Sequence, residues 1–190
     1  MRTVMSMVLL AALAGRLQAQ DSTAQAPYRA GSWGTEVRVG TNLTFPDLAL
    51  LKFTSPTRAW YLNGQFNASK LVSSASPINS SGYSLGVTLG RRFYRPLSPR
   101  ASFFVTPNVT VGGGHQCAPS GCVAGWNAGL GVDVGAEVLV TSFAGLGVKA
   151  GAGLLYQHNI DTPSLAPSET LSTFSFNLSS PFGIYATLHL

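Results

Sequence analysis

Apolar and polar positions alternate with a period of two along most of the chain, and the alternation is longest over residues 171–190. The even positions there read Phe174, Phe176, Leu178, Ser180, Phe182, Ile184, Ala186, Leu188 and Leu190. The odd ones read Ser175, Asn177, Ser179, Pro181, Gly183, Tyr185, Thr187 and His189. Only a β-strand turns a two-residue period into one apolar and one polar face, and this strand is about twice the usual length.

The same pattern predicts seven further strands. Residues 33–45 place Trp33, Val37, Val39, Leu43 and Phe45 on one face and Glu36, Arg38 and Asn42 on the other. Residues 48–54 form a short strand, expected to carry Leu51 and Phe53 outward and Lys52 inward. Residues 58–69 set Trp60, Leu62 and Phe66 against Tyr61, Asn63 and Gln65. Residues 83–94 follow, with Arg91 on the otherwise apolar face of Tyr83, Leu85, Val87, Leu89 and Phe93, at a strand end from which it can snorkel. In residues 101–113, Pro107 predicts a bulge or local irregularity. Residues 124–138 and 146–157 form the clearest hairpin, Ala, Trp, Leu and Val alternating with Gly, Asn, Asp, Glu and Lys. Short connections at residues 55–57, 96–99 and 141–145 alternate with longer polar ones at 70–80, 114–123 and 158–170.

Composition decides what kind of sheet this is. Hydrophobic residues make up 45% and charged residues 10%, against about 25% charged in an ordinary soluble protein. No apolar run approaches the roughly 20 residues of a spanning helix, and lipid leaves the closed barrel as the other spanning structure. A soluble eight-stranded carrier alternates in the same way, but its polar face is the solvent-exposed one. Here that face holds few charges and Gly125, Gly129, Gly131, Gly135, Gly147, Gly151 and Gly153, a poor soluble exterior. Turned inward, these glycines leave room for Arg38, Tyr61, Arg92, Tyr94 and Phe104. The predicted fold is therefore all-β, an eight-stranded antiparallel transmembrane barrel spanning residues 32–190.

Met1 and Arg2, the apolar run 3–14 and Leu17-Gln18-Ala19 read as a cleavable signal peptide over residues 1–19. Residues 20–31 lack periodicity and read as a flexible periplasmic lead-in. The formal charge is +5; without Arg2 and Arg16 it is 10 basic against 7 acidic residues, or +3. Nucleic-acid binding requires a basic face or stripe. Arg91, Arg92, Arg95 and Arg100 instead gather round a Pro-containing turn, a band of charge at a membrane boundary.

With its leader, alternating strands and terminal Phe182, Ile184, Ala186, Leu188 and Leu190, the chain resembles the small outer-membrane β-barrel proteins, the group of the OmpA transmembrane domain and OmpX. The resemblance is architectural and covers residues 33–190. It implies a bacterial outer-membrane location, surrounding lipid, and a last strand read by the barrel-assembly machinery. That group usually ends in an aromatic residue, where this chain has Leu190.

Several groups invite chemistry. Cys117 and Cys122, in Cys-Ala-Pro-Ser-Gly-Cys, suit a disulfide in an oxidising compartment; free thiols, or a metal site with His115, are the alternatives. Glu36, Arg38, Lys52, Asp133, Glu137 and Lys149 are expected to form a polar network in the lumen, either a salt-bridged plug or a polar path. The plug is favoured, because eight strands leave little open bore. His115, His158 and His189 could serve Ser-His catalysis, as in lipid A enzymes of the outer membrane, but no His-x-Ser occurs. Gly129-Leu130-Gly131 and Gly145-Leu146-Gly147 do not complete a dinucleotide fingerprint. Sequons at Asn42, Asn67, Asn79, Asn108 and Asn177 are coincidences of a Ser/Thr/Asn-rich strand composition. The expectation is a monomeric barrel without cofactor, metal or catalytic activity, serving membrane integrity or adhesion through its loops. The alternative is an OmpW-like conduit for small or hydrophobic solutes.

Overall fold

The computed structural model describes residues 28–39, 48–72, 79–163 and 167–190. The expected signal peptide and residues 20–27 of the lead-in lie outside the described residues. The strands are β1 (Trp33–Val39), β2 (Leu48–Ser55), β3 (Arg58–Val72), β4 (Asn79–Pro96), β5 (Ala101–Ala118), β6 (Gly121–Leu139), β7 (Ala144–Pro163) and β8 (Glu169–His189). Each pairs antiparallel with the next, and β1 pairs with β8 from Gly34↔His189 to Val39↔Ile184, closing the barrel. The seam is finished by reciprocal backbone hydrogen bonds between Trp33 and Leu190, at 3.1 and 2.8 Å.

Tight turns at residues 56–57, 97–100 and 140–143 define one end of the barrel, here the turn end, where Tyr28 and Leu190 also lie. Ser98 Oγ accepts from the Ala101 N–H at 3.0 Å, and Thr141 Oγ1 from the Ala144 N–H at 2.9 Å, so a hydroxyl side chain stabilises each longer turn. The opposite, loop end carries the turn of Pro119 and Ser120 and the strand ends next to residues 40–47, 73–78 and 164–166, which are not described.

The strands outrun the predicted ones at this end. Much of the expected loops 70–80, 114–123 and 158–170 is ladder: β5 and β6 stay paired through Cys117↔Cys122 to Ala118↔Gly121. An 18-residue strand such as β5 rises roughly 45 Å along a tilted barrel axis, well beyond the apolar band of about 25 Å. Where the ladder stands in water on both faces, side chains need not alternate, so the pattern fades while the backbone pairing continues.

Outward faces are those the alternation predicts in seven strands, with Leu85, Leu89, Leu130, Leu154, Phe174 and Phe176 among the exposed side chains. The exception is β2. Ala49, Leu51 and Phe53 are buried in the lumen, and Lys52 faces out, level with Trp33 and Trp60 across the ladder. Leu48-Ala49-Leu50-Leu51 is apolar on both faces, so its period is ambiguous and the neighbouring strands set the register.

At Pro107 the β4–β5 pairing is interrupted between Gly90↔Asn108 and Phe93↔Val105, without a change of register. This is local irregularity rather than a bulge, because proline removes one ladder donor and no residue is inserted. The register shifts lie elsewhere, at Phe53/Ser55 and at Lys149/Gly151. In the second, two extra residues are absorbed on β8. An even number preserves which side chains face out, so Ile184, Leu188 and Leu190 share the outer face with Phe174 and Phe176.

The lumen is filled by large side chains of β2 to β5 and β8 lying against glycines of β6 and β7. The ring of Phe104 lies over Gly135, and that of Tyr185 over Gly147, where any Cβ would strike it. Gly147→Val is therefore expected to destabilise the barrel by about 1–3 kcal/mol, through overpacking. Thermal or urea unfolding of the refolded protein, followed by gel mobility, measures this; Tyr185→Leu in the same chain should restore only part of the loss, because the Ala136 carbonyl also lies 2.7 Å from the added Cβ.

Candidate functional site: the lumen and its two ends

The lumen divides into a closed half and an open half. At the turn end the chain before β1 turns through Gly31, whose φ of +86° is a left-handed conformation that favours glycine. This turn carries Tyr28 into the barrel mouth. Its ring lies 4.7 Å from Phe53, 4.5 Å from Tyr94 and 5.0 Å from His189, centroid to centroid. Burial, reinforced by the Glu137 carboxylate, pushes the Tyr28 hydroxyl well above the ordinary tyrosine range. Residues 28–31, expected in a flexible lead-in, are thus packed at their start, because an aromatic side chain finds an apolar mouth to fill.

Above this aromatic stopper, Glu137 accepts a hydrogen bond from Thr187 Oγ1 at 2.7 Å and pairs with His189 Nε2 at 2.9 Å. His189, next to the chain end, is an inward member of β8 near the turn end, in keeping with its odd position. The next layer is a buried ion cluster. Glu36 is paired with Arg92 at 2.8 Å and with Lys149. Arg92 is fully buried; its Nε donates to Thr106 Oγ1 at 3.1 Å, and its guanidinium lies 4.1 Å from the Phe104 ring centroid. Lys149 also donates to Tyr61 Oη at 3.2 Å. Two cations on one carboxylate leave an excess charge in the cluster, and the ring faces of Phe104, Tyr61 and Tyr185 line it to offset this charge.

Asp133, one layer higher, accepts from Asn108 Nδ2 at 3.2 Å. Beyond it the lumen opens into cavities of about 240 and 660 Å³. The larger is walled by glycines and by neutral Gln65, Asn67, Thr110, Asn127, Gln157 and Asn159.

Of the residues expected in the lumen network, Glu36 and Lys149 meet directly, while Glu137 and Asp133 sit in separate layers. The side chain of Arg38 lies outside the described residues. Lys52 does not belong to the network: its ammonium is 4.4 Å from the Trp33 ring centroid on the outer face and donates to the Gly31 carbonyl at 2.7 Å. Arg92, absent from the expected network, is its centre. The signal was present in its inward position beside the outward Arg91.

Cys117 and Cys122 are joined as a disulfide across a directly opposed pair at the loop-end tip. His115 lies 3.7 Å from Cys117 Sγ, and the three residues are close enough to surround an ion. A disulfide, however, offers no thiolate, so the oxidised tip lacks the donor set for zinc. Across β7 and β8, His158 Nδ1 lies 3.0 Å from Ser172 Oγ, beside Trp126, Tyr156 and Phe174. This pair comes from opposed strands, so no sequence spacing reveals it. Among the described residues no carboxylate is hydrogen-bonded to His158 to orient it as a base.

The outer surface completes the geometry. A band of exposed Leu, Val and Phe side chains separates one aromatic rim at the turn end, Trp33, Trp60 and Phe143, from another toward the loop end, Tyr83, Trp126 and Phe174. Apolar outside, polar inside, rimmed twice with aromatics: this is the inverse of a soluble carrier. The fold is that of the small outer-membrane β-barrels. No family model and no curated protein matches the sequence. Among solved structures, the chain is similar to a major outer membrane protein from Thermus thermophilus. The identity is 13% and the TM-score 0.55, over 84% of this chain and 98% of that one. Weaker likenesses are to Ail, the attachment invasion locus protein of Yersinia pestis (8% identity, TM-score 0.42, 84% and 94% covered), and to CarO2 of Acinetobacter baumannii (10%, 0.37, 86% and 100%).

Glu36→Gln leaves Arg92 and Lys149 buried without a counter-charge and is expected to cost about 3–5 kcal/mol. Lys149→Met, which removes the more exposed cation and keeps the Glu36–Arg92 pair, should cost clearly less. Unfolding curves of the two variants in the same lipid give the comparison.

Proposed function

We propose that the chain is an integral barrel of a bacterial outer membrane whose lumen is closed and whose role is structural or surface-interactive. The observation that carries this reading is the closed layer of Glu36, Arg92 and Lys149 inside an apolar, twice-rimmed wall. In this reading the turn end faces the periplasm and the loop end faces the exterior, as short turns and long connections are placed in such barrels. The strand extensions around residues 114–123 and 158–163 stand beyond the lipid, where they contribute to envelope integrity or to adhesion. Closure removes every sheet edge, so the barrel is complete as a monomer. The barrel-assembly machinery is its partner during insertion, reading the outward Ile184, Leu188 and Leu190 of the last strand.

The alternative conduit reading draws on the cavity of about 660 Å³ near the loop end. The two part on conductance. Reconstituted in a planar bilayer, the protein is expected to give no stable ion-sized steps, since Tyr28 and the ion cluster block the turn end. A reproducible unitary conductance would establish the conduit instead.

On the same reading the chain is not an enzyme. Lipid A from cells overproducing it should keep its ordinary acyl pattern by mass spectrometry. Loss of an acyl chain that disappears with Ser172→Ala would reverse that conclusion.

A further inference from the structure

Among the described side chains, the charged ones outside the lumen are segregated by end. The described basic ones, Arg29, Lys52, Arg58, Arg91, Arg95 and Arg100, all lie toward the turn end. Of the described acidic side chains, Glu36, Asp133 and Glu137 are inside the barrel, and Asp161 and Glu169 face each other at the loop end. The outer wall at the turn end therefore carries basic side chains and, among the described residues, no acidic one.

Within it, one row crosses four strands. Trp33 is opposite Lys52, Lys52 opposite Trp60, and Trp60 opposite Arg91. Directly opposed residues share a face, and Trp33 and Trp60 are half exposed on the outer wall. Cations and indoles thus alternate along the row. The Lys52 ammonium lies over Trp33, and the Arg91 guanidinium lies 5.4 Å from the Trp60 ring centroid and 5.9 Å from that of Phe93. Arg58, opposite Phe93, extends the row toward the turns. Among the described residues, Lys52, Arg58 and Arg91 are not paired with an acidic side chain, and Arg91 Nε is buried without a hydrogen-bond acceptor.

A cation on a lipid-facing wall is costly at mid-bilayer and tolerated at the interface, where it meets headgroups. Flat indoles beside it suit the glycerol and upper acyl region of one lipid. We propose that the Lys52–Trp60–Arg91 row is a binding site for an anionic phospholipid of the turn-end leaflet, its headgroup lying along the cations of the row and its acyl chains on Trp60 and Leu62. The proposal rests on the membrane reading above. Charge complementarity selects an anionic over a zwitterionic headgroup, and the absence of described acidic side chains from this wall removes the competing partner.

Tryptophan fluorescence tests it, because Trp33 and Trp60 lie in the row while Trp126 lies toward the other rim. Two single-tryptophan forms, one retaining Trp60 and one retaining Trp126, are reconstituted in phosphatidylcholine vesicles. A fixed fraction of brominated lipid is supplied as either phosphatidylglycerol or phosphatidylcholine. Trp60 should be quenched more strongly by the brominated anionic lipid, with a relative binding constant of about thirtyfold, the contribution expected of two basic side chains at a membrane surface. Trp126 should show no such preference. Lys52→Gln with Arg91→Gln should bring the Trp60 ratio to about one while the barrel still folds by gel mobility. Equal quenching of Trp60 by both lipids overturns the site but leaves the membrane reading standing. No quenching of either tryptophan by either lipid overturns the membrane reading itself.

Discussion

Lipid supplies no hydrogen-bond partner, so every N–H and C=O of a chain that crosses it has to be matched inside the protein. In this barrel the matching is complete only when β1 meets β8, from Gly34↔His189 to Val39↔Ile184. The rest follows from that seam. A closed ladder forces side chains alternately into lipid and into the lumen, which is why the period of two persists over strands of up to 21 residues. It also explains how β8 absorbs its irregularity at Lys149/Gly151 in an even number of residues, since an odd number would turn the apolar face of its terminal half inward.

Eight strands enclose a lumen about as wide as the side chains that fill it. The filling is asymmetric around the wall: β6 and β7 contribute glycines, and Phe104 and Tyr185 lie over Gly135 and Gly147. Along the axis it is asymmetric as well. Aromatic and charged groups close the turn-end half, while the loop-end half is lined by glycines and neutral amides and stays open. The buried cluster is held by charge pairing, Glu36 facing Arg92 and Lys149, while Arg92 also donates to Thr106 and Tyr94 and Lys149 to Tyr61. Tyr28 adds a segment from outside the ladder to this closure, so the N-terminal approach and the barrel interior form one packed unit.

The sequence displayed the fold more fully than it displayed the interior. Strand number, order and outward face were legible from β1 and β3 to β8, because lipid imposes the same demand at every second residue. Lys52 shows where that failed. In β2 both faces are apolar, and the assignment of Leu51, Lys52 and Phe53 reversed once pairing with Trp33 and Trp60 set the register. The loop-end strands were hidden for a different reason: above the lipid, β5 and β6 continue as paired backbone through Cys117 and Cys122 without alternating hydrophobicity. His158 and Ser172 meet across two strands, a proximity that no local spacing encodes.

What the sequence by itself determined is the architecture: an all-β chain with a lipid-facing wall, since composition and period answer to the solvent one residue at a time. What only the tertiary structure decided is which lumen groups meet. Glu36 and Lys149 are 113 positions apart and become partners through closure, while Glu137 goes to His189 and Thr187. Those pairings depend on strand register and on the depth each strand reaches in the barrel. Both are properties of the closed ladder as a whole, set by hydrogen bonds between segments, and neither is written in any one strand.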